Sequence, residues 1–357
     1  MERVVMEKTG TDELNIIRTL TCLAVIFVHL TAIPVDTLLP DSVHMMIFSF
    51  LNRGTKFTTP TFIFLSGFTL FYAYRSRELK YGTFIKKRFK SALIPYFVWT
   101  LIYYRFFVNE GTYIPSTSFF LEHLFWAKMS YHLYFIFIIV QFYISFKLFL
   151  RGFQKWNPHM LLVGLLITNL LFLRYADFEY MDRTFLRYIF FFGLGCYGAR
   201  FVDVFREKLT QWKWMLLLGY VAVAGYYAYQ FRSYHARYLP VNVFAVEVTW
   251  LAFSTMAILT LYAFGFWLSK RSEKTSPVFK LISQSSFYIY LSHPLGIFLA
   301  ERTWDELGIY SITGRFGLNV IFVYGFSVGG CTLYTYLKMR WQHHQKEKAV
   351  AASEMIK

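Results

Sequence analysis

About ten stretches of this 357-residue chain are apolar over roughly the 20 residues that a helix needs to cross a bilayer core, and short basic clusters separate them. A soluble domain carries about a quarter charged residues, whereas only 16% of this chain is charged and 56% is hydrophobic. The 41 Phe and 27 Tyr suit a bilayer as well, because aromatic rings anchor at its interfaces. The pattern excludes a soluble globular fold. It predicts an all-α polytopic membrane bundle, with spans near 14–34, 57–74, 91–108, 131–150, 159–173, 184–199, 214–230, 243–268, 281–300 and 316–337. The segment from Val43 to Asn52 is apolar but too short to span, and reads as a broken or interfacial helix leading into the second span. The fifth span is the shortest.

Charge sets the orientation. With the N-terminus inside, 26 of the 37 Lys and Arg fall on the inner segments, while acidic residues divide almost evenly. That bias is the positive-inside rule, so both termini are expected to be cytoplasmic. The organisation is then a cytoplasmic segment 1–13, a membrane domain 14–337 and a basic cytoplasmic tail 338–357. The same bias accounts for the net charge of +16 without nucleic acid. A secretory signal peptide fits poorly, because Glu2, Glu7, Asp12 and Glu13 precede the first apolar stretch and no clear small-x-small cleavage site follows. No internal repeat is evident.

Cys22, Cys196 and Cys331 lie inside apolar stretches, widely spaced and odd in number. They read as small packing residues rather than a disulfide framework or a metal site. The chain has no Walker loop, His-Glu-x-x-His or Gly-x-Ser-x-Gly, so nothing points to ATP coupling or to a zinc or serine hydrolase.

Ionisable residues inside a span are expensive and are functional candidates for that reason. Arg18 and His29 are eleven residues apart, about 20° past three full helical turns, so they share a helix face about 16 Å apart along the axis. A cationic anchor near the cytoplasm and an imidazole deeper in suit a long anionic ligand in a passage entered from inside. The bland reading of Arg18 is a snorkelling anchor. His29 resists a bland reading: at this depth an imidazole needs a polar partner or a cavity, and its neutral form can take a proton from a hydroxyl. The loop holding Arg75, Arg77, Lys80, Lys86, Lys87, Arg88 and Lys90 is denser than topology requires. It reads equally as a lipid-headgroup contact and as a phosphate site. His293 falls mid-span beside Pro294, which frees backbone carbonyls. His132 and Tyr134 open the fourth span, and Glu247 sits near the outer end of the eighth, within reach of an outer Arg. For His132 and Glu247 a structural role is as natural as a catalytic one.

These residues carry a resemblance to the acyltransferase type-3 family of bacterial membrane O-acyltransferases. Arg18 and His29 match its Arg-x10-His motif, and Ser66-Gly67 closes a stretch similar to its second-span Ser-Gly signature. Arg88 and Lys90, followed by Ile94-Pro95-Tyr96, resemble its Arg-x-Arg and Ile-Pro-Tyr element. His132-Leu133-Tyr134-Phe135 resembles a His-Leu-Trp-Phe stretch, and Phe191-Phe192-Gly193-Leu194-Gly195 a Phe-Phe-Leu-Gly one. Tyr290-Leu291-Ser292-His293-Pro294 matches a late Tyr-Leu-x-His-Pro motif. The elements occur in family order over nearly the whole chain, and the chain is most similar to the group linked to an intercellular-adhesin polysaccharide. Two positions depart: Lys90 stands for an arginine and loses its bidentate fork, and Tyr134 stands for a tryptophan.

The resemblance implies a multi-pass protein of the bacterial cytoplasmic membrane that moves an acyl group, commonly acetyl, from cytoplasmic acyl-CoA to a carbohydrate hydroxyl at the outer face. Acyl-CoA is then a donor substrate, no cofactor or metal is held tightly, and a polysaccharide biosynthesis complex is a natural partner. Arg18, Arg88 and Lys90 would hold the CoA phosphates. His29 would act as general base or carry the acyl group covalently, supported by Ser66, His132, Tyr134, His293 and Glu247. Succinyl in place of acetyl stays open, as does the acceptor. The rival reading is an exporter or flippase of a polysaccharide or lipid-linked sugar without acyl chemistry. A purely structural subunit of a polysaccharide synthase would leave the shared face of Arg18 and His29 unexplained.

Overall fold

An apolar chain in a bilayer has no water for its backbone groups and must satisfy them within helices. The computed structural model, which describes residues 12–235, 239–271 and 276–354, is all-helical, with 85% helix and no strand among the described residues. In order the helices are α1 (Asp12–Thr37), α2 (Val43–Gly54), α3 (Thr58–Tyr74), α4 (Tyr81–Asn109), α5 (Thr117–Phe125), α6 (Tyr134–Lys155) and α7 (Pro158–Tyr175). Two short 3-10 turns, Met181–Arg183 and Phe185–Tyr188, lead into α8 (Ile189–Arg200), α9 (Val202–Gln211), α10 (Lys213–His235), α11 (Val243–Arg271) and α12 (Ser276–Glu306). The last are α13 (Ile312–Val323) and α14 (Gly330–Glu354), joined by a π-helical turn at Tyr324–Gly329.

Each span read from the sequence coincides with a helix. Among the described residues, six are long and apolar enough to cross a membrane: α1, α4, α6, α7, α11 and the continuous run Ile312–Gln345. A seventh appears if Phe185–Arg200 and Val202–Gln211, bent by 102°, form one broken span. Length and composition therefore support a multi-pass membrane protein, and by that measure six or seven of the ten expected spans qualify as crossings. The difference lies in α3, with only 17 residues, in α8, broken at both ends, and in α10 and α12, which carry more polar residues. Exposed Leu148, Met160, Leu218 and Ile321 give the bundle a lipid-like outer surface.

Local chemistry sets the boundaries. The Ser42 hydroxyl accepts the Met45 N–H at 3.1 Å and starts α2, which packs on α1 and α10 as a helix separate from α3. Asn157 caps α7, with Pro158 in its first turn. The core has two parts: Phe64, Phe68, Phe142, Phe192 and Tyr262 pack α3, α6, α8 and α11 together, and Ile26, Tyr103, Leu133 and Leu291 pack around α1, α4 and α12. A Cβ on Gly67 would stand 2.2 Å from the Phe192 carbonyl oxygen, and one on Gly195 2.2 Å from the Phe64 carbonyl oxygen. Helices α3 and α8 thus touch backbone to backbone, as small residues permit in membranes. This contact explains why Gly must follow Ser66 and close Gly193-Leu194-Gly195.

Candidate active site

Helix α1 carries Arg18 and His29 on one face, but the two side chains line different cavities. Arg18 lines a cavity of about 370 Å³ with Ser66 from α3, Tyr143 from α6 and Ser283 from α12. Its Nη1 lies 3.5 Å from the Ser283 hydroxyl, which donates to Asn15 at 3.0 Å. The Arg88 guanidinium sits 5.6 Å from the rings of both Phe84 and Tyr143, of which Tyr143 lines this cavity and Arg88 itself does not. Lys90 is exposed and is not among the lining residues, although Ser91 and Ala92 are.

His29 lines the second cavity, of about 260 Å³, together with His132, Tyr134, Glu247 and Tyr290. Its ring stacks on His293 with centroids 5.2 Å apart, and the exposed Tyr131 ring lies 4.6 Å away on another side. The His132 ring is 5.4 Å from His293. Three histidines distant in sequence therefore form one cluster. Glu247 receives Arg187 at 2.8 and 2.7 Å, and that guanidinium also covers the Trp250 ring at 5.0 Å. The Tyr134 hydroxyl lies 3.3 Å from that of Thr59.

Pro294 organises the cluster. It has no N–H to give the Tyr290 carbonyl, and that oxygen instead accepts His293 Nδ1–H at 2.8 Å. One residue further on, the Tyr103 hydroxyl enters the helical ladder: it accepts the Leu295 N–H at 3.2 Å and donates to the Leu291 carbonyl at 2.7 Å. The Tyr290 hydroxyl donates to the His132 carbonyl, which ties α12 to the start of α6. The buried Nε2 atoms of His132 and His293 have no hydrogen-bond partner among the described residues.

Among the described residues Arg18 and His29 line separate cavities rather than one shared passage. Phe62 and Phe135 line the Arg18 cavity, Tyr290 lines the His29 cavity, and their ring centroids are 5.4 to 6.5 Å apart. This aromatic trio, one ring each from α3, α6 and α12, fills the space between the chambers. Among the described residues no cluster of side chains could hold a metal ion. The chemistry available is therefore acid–base and cationic: imidazoles in one chamber, guanidinium groups at the other.

The family model described as an acyltransferase domain matches residues 11–336. The chain belongs to the type-3 acyltransferase family. Relatives include a Staphylococcus aureus (strain MRSA252) protein with the provisional name poly-beta-1,6-N-acetyl-D-glucosamine export protein, 25% identical over 89% of this chain and 91% of its own length. A Staphylococcus epidermidis protein of the same name is 27% identical over 81% of each chain. A Bacillus subtilis (strain 168) protein, provisionally named membrane-bound acyltransferase YfiQ, is 24% identical over 79% of each. No solved structure matches this chain.

In this member of the family, sequence reading singled out His29, His132 and His293 separately, without bringing them together. It missed Tyr103, Tyr131, Arg53 and Lys56. The last two had a usable signal, since two cations three residues apart lead into an apolar span. Tyr103 had none, because a tyrosine among apolar residues does not advertise a gap in another helix.

Proposed function

We propose that the protein is a membrane-bound O-acyltransferase that takes an acyl group from cytoplasmic acyl-CoA and places it on a carbohydrate hydroxyl at the outer face. The reading takes all ten helical spans as crossings, with both termini, 1–13 and 338–357, in the cytoplasm of a bacterial cell. It rests on the basic bias of the inner segments. The observation that carries it is that one face of α1 bears Arg18 at one chamber and His29 at another. A donor with charged phosphates and a thin arm ending in a thioester needs such a pair of chambers in series.

Arg18 and Arg88, two guanidinium groups beside one cavity, suit phosphate oxygens. The acyl-CoA is a substrate, and no bound cofactor enters the reaction. The pantetheine arm passes the aromatic trio and brings the thioester to His29. A neutral His29 nitrogen takes the acceptor hydroxyl proton, and the oxygen attacks the thioester carbon. The C–S bond then breaks, and the CoA thiolate leaves with the proton from the imidazolium. In the covalent variant the His29 nitrogen attacks first and the C–S bond breaks to release the CoA thiolate; the acceptor oxygen then displaces the imidazole from the acyl carbon, and its hydroxyl proton passes to the thiolate.

The test is reconstitution with acetyl-CoA labelled in the acetyl group and a glycan acceptor. His29→Ala should lower ester formation by at least about a hundredfold. A folded His29→Ala protein at full activity would defeat the mechanism. Two relatives named as export proteins support a second reading, translocation of a glycan without chemistry. It predicts glycan movement with no new ester. The aromatic trio across the space between the chambers favours the first.

A further inference from the structure

The chamber around His29 holds more positive charge than its own walls neutralise. Arg53, Lys56 and Arg187 all line it. Arg187 is paired with Glu247, whereas neither Arg53 nor Lys56 belongs to an ion pair among the described residues. The Arg53 guanidinium lies 3.4 Å from the Phe231 ring centroid, and its buried Nε has no hydrogen-bond partner among the described residues. The carboxylates nearby do little to compensate. Asp36 acts on both cations from beyond ion-pair distance, and both Asp36 and Asp182, the latter in the chamber wall, are exposed to solvent.

An unpaired cation in a partly buried wall is costly, and two of them flanking one turn is an arrangement that an incoming anion relieves. The first turn of α3 adds to it. Thr58, Thr59 and Pro60 line the same chamber, and no side chain caps the helix, so its positive end lies at the same space. A neutral sugar needs none of this; a phosphate or carboxylate uses all of it.

We propose that Arg53, Lys56 and the first turn of α3 bind an anionic group carried by the acceptor, so that the acceptor is a phosphorylated or carboxylated carbohydrate. The assignment of this ligand as acceptor rests on the acyltransferase reading. The anion site itself rests on the charges.

Equilibrium dialysis of the detergent-purified full chain against labelled glucose 6-phosphate, glucuronate and glucose tests it without any turnover. At least one anionic probe should bind tenfold or more tightly than glucose and weaken with salt, and the better of the two identifies the group. Lys56→Gln with Arg53→Gln should bring that affinity down to the glucose level. Lys56→Arg should retain it, and Arg18→Gln should leave it unchanged. Equal binding of all three probes would overturn the proposal, as would a preference that survives the double substitution. Competition by coenzyme A, or loss of the preference in Arg18→Gln, would assign the anion to the donor and overturn it too. Anionic binding by a protein that forms no ester would defeat the acyltransferase reading and leave the anion site standing.

Discussion

His293 donates its Nδ1–H to the Tyr290 carbonyl at 2.8 Å, the oxygen that Pro294 leaves without a helical donor. A carbonyl can only accept, so the neutral ring is held in the tautomer that keeps its Nε2 lone pair. That nitrogen is buried and without a partner, and the ring stacks on His29. A break in a helix thus sets the state of an imidazole beside the proposed base.

Pro294→Ala restores the missing N–H and competes for the Tyr290 carbonyl. Removing a proline from a helix interior favours the helix by up to about 3 kcal/mol, so thermal stability should hold or rise. The ring of His293 is then free to change tautomer, and kcat should fall by about tenfold or more. Activity and melting temperature of the same preparation check this, with nitrogen NMR of labelled histidine for the tautomer. Full activity together with a changed tautomer would mean that the tautomer is irrelevant.

Donor affinity should separate the three cations assigned to the CoA phosphates. Arg18→Gln and Arg88→Gln each remove a guanidinium beside the cavity that holds Tyr143, and KM for acyl-CoA should rise about tenfold or more. Lys90 is exposed, whereas Arg88 is half-buried beside Tyr143, so Lys90→Gln should change KM by less than about twofold. Steady-state kinetics at fixed acceptor measures all three. An effect of Lys90→Gln equal to that of Arg88→Gln would put the phosphates on the surface instead.

The trio of Phe62, Phe135 and Tyr290 keeps the chambers apart, and a smaller ring should make the partition leak. Phe135→Leu removes part of a partly buried ring at modest cost in stability. Water from the Arg18 side then reaches the thioester beside His29, cleaving its C–S bond to free acid and CoA. Thiol release without acceptor should rise several-fold while transfer to acceptor falls. Unchanged release would show that the trio does not separate the two sides.

How much of this was legible beforehand depends on range. The helices were, because each is a local run of apolar residues, and so was the common face of Arg18 and His29, which follows from helical period alone. Tertiary matters were not. The chambers are separate because rings from three helices meet, and no period in one helix reports a neighbour's ring. His293 was noted for its proline, but its partner became visible only when the Tyr290 carbonyl could be followed to Nδ1. The span read as 184–199 ends where the chain turns by 102°, but helix α9 beyond the turn was not read, because its charged residues resemble a loop between spans.

The glycine contact between α3 and α8 supports the firmest stability prediction. In Gly67→Ala the new methyl would lie 2.2 Å from the Phe192 carbonyl oxygen, and in Gly195→Ala 2.2 Å from that of Phe64. Backbone atoms in two packed helices cannot step aside like a flexible side chain, so the helices must separate. Overpacking of this kind costs about 1–3 kcal/mol or more. Gly164 in α7 has nothing within 4 Å of its would-be Cβ, and Gly164→Ala should be neutral or slightly stabilising through helix propensity. Melting of the three variants in detergent tests the contrast. If Gly67→Ala melts with Gly164→Ala, the close approach of α3 and α8 is wrong, and with it the position of Ser66 beside Arg18.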